Sequence, residues 1–200
     1  MVACPRGQML AAVATDIELM VGVKEGDATC FDLLLDRYRD PIVGYLYRIV
    51  QNRDIAEELS QEVFTRIYMS RARYEPTAKF SGWIFRIATN LVFNWLRNHR
   101  RERGQESVDA LSTRGVRRQL ADHRWRIDEV LLREVKLAEV RRAIAALPER
   151  QRAVVVLHKY QEMGYEQIAR ALGCSVQAVK SMMFRAHETL RAQLAHLETA

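Results

Sequence analysis

The chain has 200 residues, 48% of them hydrophobic and 28% charged, with 9 Gly and 4 Pro. That apolar content builds compact cores, the scarcity of breakers excludes an all-β fold, and the length suits one ordinary domain or two small ones. The net charge of +6 points to a polyanionic partner, nucleic acid or a membrane surface, with a merely solvated basic face as the bland alternative.

Cys4, Cys30 and Cys174 are far apart, form no CxxC pair, and are not joined by histidines at zinc-ligand spacing. They read as free thiols in a reducing compartment. No metal or cofactor is expected. No apolar run approaches the roughly 20 residues of a membrane span. Asp16 and Glu18 follow the short apolar patch at 9–14 at once, so neither a signal peptide nor membrane insertion is expected. A cytoplasmic protein is the expectation.

In chain order, Phe31, Leu34, Leu35, Tyr38, Ile42, Tyr45, Leu46 and Ile49 recur at three- and four-residue steps and predict one helical stripe. Pro41 lies inside it and predicts a kink or a break. Asn52-Arg53-Asp54 predicts a turn, with Asp54 as N-cap of a second helix over 55–70. A third helix is predicted over 80–97, its core edge formed by Ile84, Ala88, Leu91 and Trp95. From 98 to 127 the pattern dissolves into Arg and polar residues with Gly104 and Gly115, which predicts a flexible linker. Periodicity resumes towards Val140, Ile144 and Leu147, and Pro148 suits the start of another helix.

Residues 148–197 carry the sharpest signal. PERQRAVVVLHKY predicts one helix, 161–164 a turn, and YEQIARAL a short second helix. Gly173 then accepts a left-handed turn cheaply, and Ser175 is placed to cap a third helix. That helix buries Val176, Val179, Met183 and Ala186 and exposes Gln177, Lys180, Ser181, Phe184 and Arg185. A short helix, a glycine turn and a capped polar helix make a helix-turn-helix. A major groove about 12 Å wide admits such a helix, whose first side chains reach base edges while Lys and Arg meet phosphates. A plain three-helix bundle is the competing reading.

Two further faces stand out. Asp54, Glu57, Glu58, Gln61 and Glu62 form an acidic and amide stripe in an otherwise basic chain. It is either a solvated helix start favoured by the dipole or a docking face for a basic partner. Trp83, Arg86, Asn90, Asn94 and Arg97 share a narrow sector, with Phe80 just before them. Aromatics interleaved with Arg and Asn suit unpaired nucleic acid, although Phe80 and Trp83 read equally well as core.

The order of these parts resembles a family. AEELSQEVF (56–64) closely resembles the polymerase-docking motif of bacterial sigma factors. DIELMVGVKEGDATCFDLLLDRY (16–38) and FSGWIFRIATNLVFNWLRNHRR (80–101) resemble the rest of their second conserved region. ALPERQRAVVVLHKYQEMGYEQIARALGCSVQAVKSMMFRA (146–186) resembles their fourth. With only these two regions, the chain resembles the extracytoplasmic-function subfamily, group 4 of the sigma-70 family. Two departures are visible: Asn94 where the family often carries Asp, and Met182 where it often carries Arg.

The resemblance implies an all-α protein of two small helical domains joined by a flexible linker, the C-terminal one a helix-turn-helix. Its parts would be a tail (1–15), a region-2-like domain (16–100), a linker (101–135) and a region-4-like domain (136–197). It implies a dissociable, non-catalytic promoter-specificity subunit whose partners are core RNA polymerase, promoter DNA and an anti-sigma factor. Asp54, Glu57, Glu58, Gln61 and Glu62 would grip core polymerase. Phe80, Trp83, Arg86, Asn90, Asn94 and Arg97 would read and open the −10 element. Ser175, Gln177, Lys180, Ser181 and Arg185 would read the −35 element. A free-standing helix-turn-helix regulator is the alternative, and the acidic 54–64 stripe speaks against it.

Overall fold

The computed structural model describes residues 14–76, 79–105 and 127–198, the side chains of 102–105, 127–134 and 198 excepted. Among the described residues there are eight α-helices, a 3-10 turn and no strand. In chain order these are α1 (Asp16–Glu25), α2 (Ala28–Val50), α3 (Arg53–Ser70), the 3-10 turn (Arg71–Arg73), α4 (Phe80–Gln105), α5 (Ile127–Ala146), α6 (Glu149–Tyr160), α7 (Tyr165–Leu172) and α8 (Val176–Glu198). The all-helical expectation holds. Of the expected tail and linker, 1–13 and 106–126 lie outside the described residues.

Helix α1 lies before the first helical stripe expected from the sequence, and it has its own start and stop. The Thr15 hydroxyl accepts from the Glu18 amide while the Glu18 carboxylate accepts from the Thr15 amide, a capping box that satisfies two orphan donors reciprocally. Helix α1 then approaches α2 so closely that a Cβ at Gly22 would sit 2.6 Å from the Cys30 sulfur. Leu19, Met20 and Val23 are thereby buried against the second helix.

Pro41 does not break α2, which runs continuously from Ala28 to Val50. An interior proline costs about 3 kcal/mol. Beyond it, Ile42, Tyr45, Leu46 and Ile49 are at most 1% exposed, and burying each such side chain is worth about 1.5–3 kcal/mol. The packing outweighs the lost hydrogen bond. A second correction concerns the start of α3. Its cap is Asn52, whose side chain accepts from the Ile55 amide at 3.2 Å, and Asp54 sits in the first turn, where its charge faces the dipole. Helix α4 also outruns its expected end at 97 and continues to Gln105, because Arg and Glu sustain a helix without an apolar stripe.

Helices α2, α3 and α4 pack together and α1 closes one end. Between α3 and α4 an aromatic cluster orders the chain. Phe80 lies edge-on to Tyr38 at 5.2 Å between centroids and to Tyr74 at 6.3 Å, and Trp83 leans on Tyr74 at 5.1 Å. The Lys24 ammonium donates to the Tyr74 carbonyl at 3.0 Å and ties the segment after the 3-10 turn to α1. Burial, then the hydrogen bond to the Asp16 carboxylate, push the Tyr38 phenol well above its ordinary range.

The C-terminal helices α6, α7 and α8 pack around Val154, Leu157, Ile168, Leu172, Val179 and Met183, in one hydrophobic cluster with the buried residues of α1 to α4. Gly173 adopts φ 61°, the left-handed conformation that glycine takes at least cost. Two residues on, the Ser175 hydroxyl accepts from the Ala178 amide at 3.1 Å, so the expected turn and cap are both present. This unit does not stand apart. Helix α7 packs along α4, and α6 packs against the end of α2.

Candidate nucleic-acid interface

On α4, Arg86, Asn90, Asn94 and Arg97 are all exposed. At 100° per residue they fall within about 80° of one another, so one polar face carries two guanidinium groups and two amides. The Asn94 carbonyl oxygen accepts from the Arg97 guanidinium at 2.9 Å. An amide therefore still holds the arginine where the family often has a carboxylate, but without its charge.

The aromatic part of the expected site divides. Phe80 is only 2% exposed; it belongs to the core and offers no ring to a base, a correction to the sequence reading. Trp83 is half-buried, with Tyr74 and Phe80 behind it, so part of its ring reaches the surface.

On α8, Ser175, Gln177, Lys180, Ser181 and Arg185 are exposed on the side opposite the buried Val179, Met183 and Ala186. Ser175 spends its oxygen on the helix cap. Phe184, 67% exposed, stands within the polar sector. The sequence already places it on that face, as an apolar ring where the period demands a polar side chain. Met182 is half-buried.

On α3, Asp54, Glu58 and Gln61 are exposed. Glu57 and Glu62 are tied within the helix to Arg53 at 2.9 Å and Arg66 at 2.7 Å. Beside this stripe runs a largely apolar groove of about 540 Å³ between α2 and α3, walled by Phe31, Leu35, Val43, Phe64 and Met69, with Gln61 at its edge. Sequence periodicity gave no sign of it, because its walls come from two helices.

The comparisons with known proteins fit this layout. Residues 34–102 match the model for sigma-70 region 2, and residues 137–190 the model for sigma-70 region 4. The chain is 32% identical over 178 residues to the extracytoplasmic-function sigma factor SigW of Bacillus subtilis, covering 88% of this chain and 94% of that one. The chain belongs to the extracytoplasmic-function sigma factors. It is thus a sigma factor of RNA polymerase that directs promoter recognition, in a family without catalysis of its own. It is also 31% identical over 180 residues to the sigma-H factor of Pseudomonas aeruginosa, covering 88% of this chain and 91% of that one. Among solved structures, CnrH in complex with the cytosolic domain of CnrY has the same fold, with a TM-score of 0.67 at 21% identity, covering 92% of this chain and 99% of that one. No helix among the described residues is long and apolar enough to cross a membrane.

Proposed function

We propose a division of labour among three faces of this sigma factor. The α3 stripe, through Glu58 and Gln61 above all, docks on a basic surface of core polymerase. The α4 face captures bases of the −10 element, with Asn90 offering a donor and an acceptor, Arg86 and Arg97 meeting phosphates, and Trp83 giving a partial stacking surface. The α8 face enters the major groove of the −35 element. These faces belong to two working parts, residues 16–100 and 136–197. The observation that carries the reading is the exposed sector of Arg86, Asn90, Asn94 and Arg97 over a packed core, because it sets two guanidinium groups and two amides side by side in solvent, the groups that meet phosphates and base edges. The protein acts in the cytoplasm. The solved structure of RpoE from Bartonella quintana is a complex with the anti-sigma factor NepR, and an inhibitor of that kind fits this chain.

The deciding experiment supplies the purified chain to bacterial core polymerase on a genomic fragment, its own upstream region included. Specific initiation is expected. Its absence on any fragment, with core bound, overturns the assignment of the two DNA faces.

Within α8 the roles separate by position. Gln177 lies near the N-terminus and reaches base edges, so Gln177→Ala relaxes preference at one or two base pairs, each worth about 1–3 kcal/mol. Lys180 meets a phosphate, so Lys180→Ala weakens all sequences alike and lowers the salt slope by about one. Anisotropy titrations of holoenzyme on −35 variants check both. The reverse pattern would mean that the helix is rotated about its axis from this placement.

A further inference from the structure

Helix α1 carries none of the three working faces, yet it packs against the 3-10 turn and α4 as well as against α2. Its C-terminal end is firmly closed. Gly26 turns the chain at φ 99°, and the Asp27 amide donates to the Gly22 carbonyl at 2.9 Å, which satisfies a carbonyl that would otherwise lack a partner. Lys24 stands in this last turn and reaches out of the helix. Its ammonium donates to the carbonyl of Tyr74, 50 residues on, at 3.0 Å. The helix dipole alone explains a lysine at that end, but it does not explain a bond directed to a carbonyl outside the helix.

What Lys24 holds is the support of Trp83. Tyr74 leaves the 3-10 turn in extended conformation, φ −67° and ψ 129°, and is the one buried side chain among the described residues from 71 to 79. Its hydroxyl is buried without a hydrogen-bond partner among the described residues, so the ring is placed by packing and by its own backbone. That backbone makes two bonds. The amide donates to the Arg71 carbonyl at 3.1 Å within the turn, and the carbonyl accepts from Lys24; the second bond ties the segment to another helix. The Tyr74 ring then backs Trp83 at 5.1 Å between centroids. Trp83 is half-buried, so how much of its face reaches solvent depends on where Tyr74 lies.

We infer that Lys24 is a positioning residue for promoter opening: by tying Tyr74 to α1 it fixes the ring of Trp83 on which a base of the −10 element stacks. A ring that is already in place spends none of the stacking energy on being ordered. Lys24 itself touches no base; it acts through Tyr74 and Trp83. The inference rests on the reading of α4 as the face that captures bases.

The test uses the full chain, free and as holoenzyme, in three variants. Lys24→Met keeps the length of the side chain but removes donor and charge, Lys24→Arg keeps both, and Lys24→Met with Glu25→Gln restores the net charge without the donor. In the free chain Trp95 and Trp125 are replaced by Phe, so that Trp83 alone fluoresces, and acrylamide quenching reads its exposure. Quenching is expected to change in both Met variants and to stay at the parent value in Lys24→Arg, with helix content by circular dichroism unaltered in all. As holoenzyme, Lys24→Met is expected to initiate about five- to tenfold less on an intact promoter, the low end of what one stacked base contributes, and to recover partly on a mismatched bubble. Trp83→Leu keeps an apolar side chain against Tyr74 without an aromatic face, and adding Lys24→Met to it should cost nothing further, because both act through one ring. Unchanged quenching in Lys24→Met overturns the anchor. A defect that adds in full to that of Trp83→Leu, or that vanishes when Glu25→Gln restores the charge, overturns action through Trp83. A defective Trp83→Leu beside a normal Lys24→Met overturns the role of Lys24 alone, whereas a Trp83→Leu that initiates as wild type does brings down the reading of α4 and this role with it.

Discussion

A Glu58→Lys chain is expected to fold as the wild type does and to lose core polymerase. Glu58 is exposed and pairs with nothing among the described residues, whereas its neighbours Glu57 and Glu62 are engaged by Arg53 and Arg66. Exposed pairs within a helix are worth about 0.3–0.5 kcal/mol, so those two acids are cheaply released to a partner but are not presented alone. Glu58 and Gln61 are presented. On the proposed docking, the groove that Gln61 lines would supply an apolar centre, walled by Phe31, Leu35, Phe64 and Met69, that excludes water once filled. Losing one member of a charge pair desolvated in that way costs about 2–5 kcal/mol, a weakening of binding by roughly thirty-fold to several thousand-fold. Gln61→Ala should cost less, about 1–3 kcal/mol, because it leaves a neutral partner unpaired. Titration of labelled core against each variant, with melting curves alongside, reads both effects. Wild-type affinity in both would place the docking surface elsewhere.

The second large effect is expected at Asn90. Extruding a base costs a few kcal/mol, and a factor that consumes no nucleotide must recover this by capturing the base. Asn90 is exposed at the centre of the α4 face, so its truncation should leave melting temperature unchanged within the small range of surface substitutions, about ±0.5 kcal/mol. Holoenzyme carrying Asn90→Ala should fail on an intact promoter and recover partly on one with a pre-opened, mismatched bubble. Equal activity on both templates sinks the assignment. Trp83→Ala should behave differently. Truncating a fully buried aromatic costs about 3–5 kcal/mol, and Trp83 is half-buried against Tyr74 and Phe80. About half that cost should appear as lost stability, together with an opening defect that the bubble relieves in part. A melting collapse with no template dependence would make Trp83 purely core.

Helix α4 shows how far the sequence carries. The exposed stripe from Arg86 to Arg97 was legible because four positions at helical spacing share one chemistry. Phe80 was not, because its burial depends on Tyr38 and Tyr74, which come from other elements and which no local pattern associates with it. The start of α3 differs from the sequence expectation for a smaller reason. Asn and Asp cap helices almost equally well, and only backbone geometry distinguishes Asn52 from Asp54 two residues on.

The sequence by itself determined the helical class, the glycine turn and serine cap of the helix-turn-helix, and which residue types face outward on α3, α4 and α8. These are local matters, settled within one or two turns by period, capping and backbone preference. Only the tertiary structure decided that Pro41 stays inside an unbroken α2, that Phe80 is core, that an apolar groove accompanies the acidic stripe, and that α7 packs along α4. Each of these depends on groups far apart in the chain, as Tyr38 and Phe80 are, on α2 and α4. Packing between such groups outweighs what either segment prefers alone.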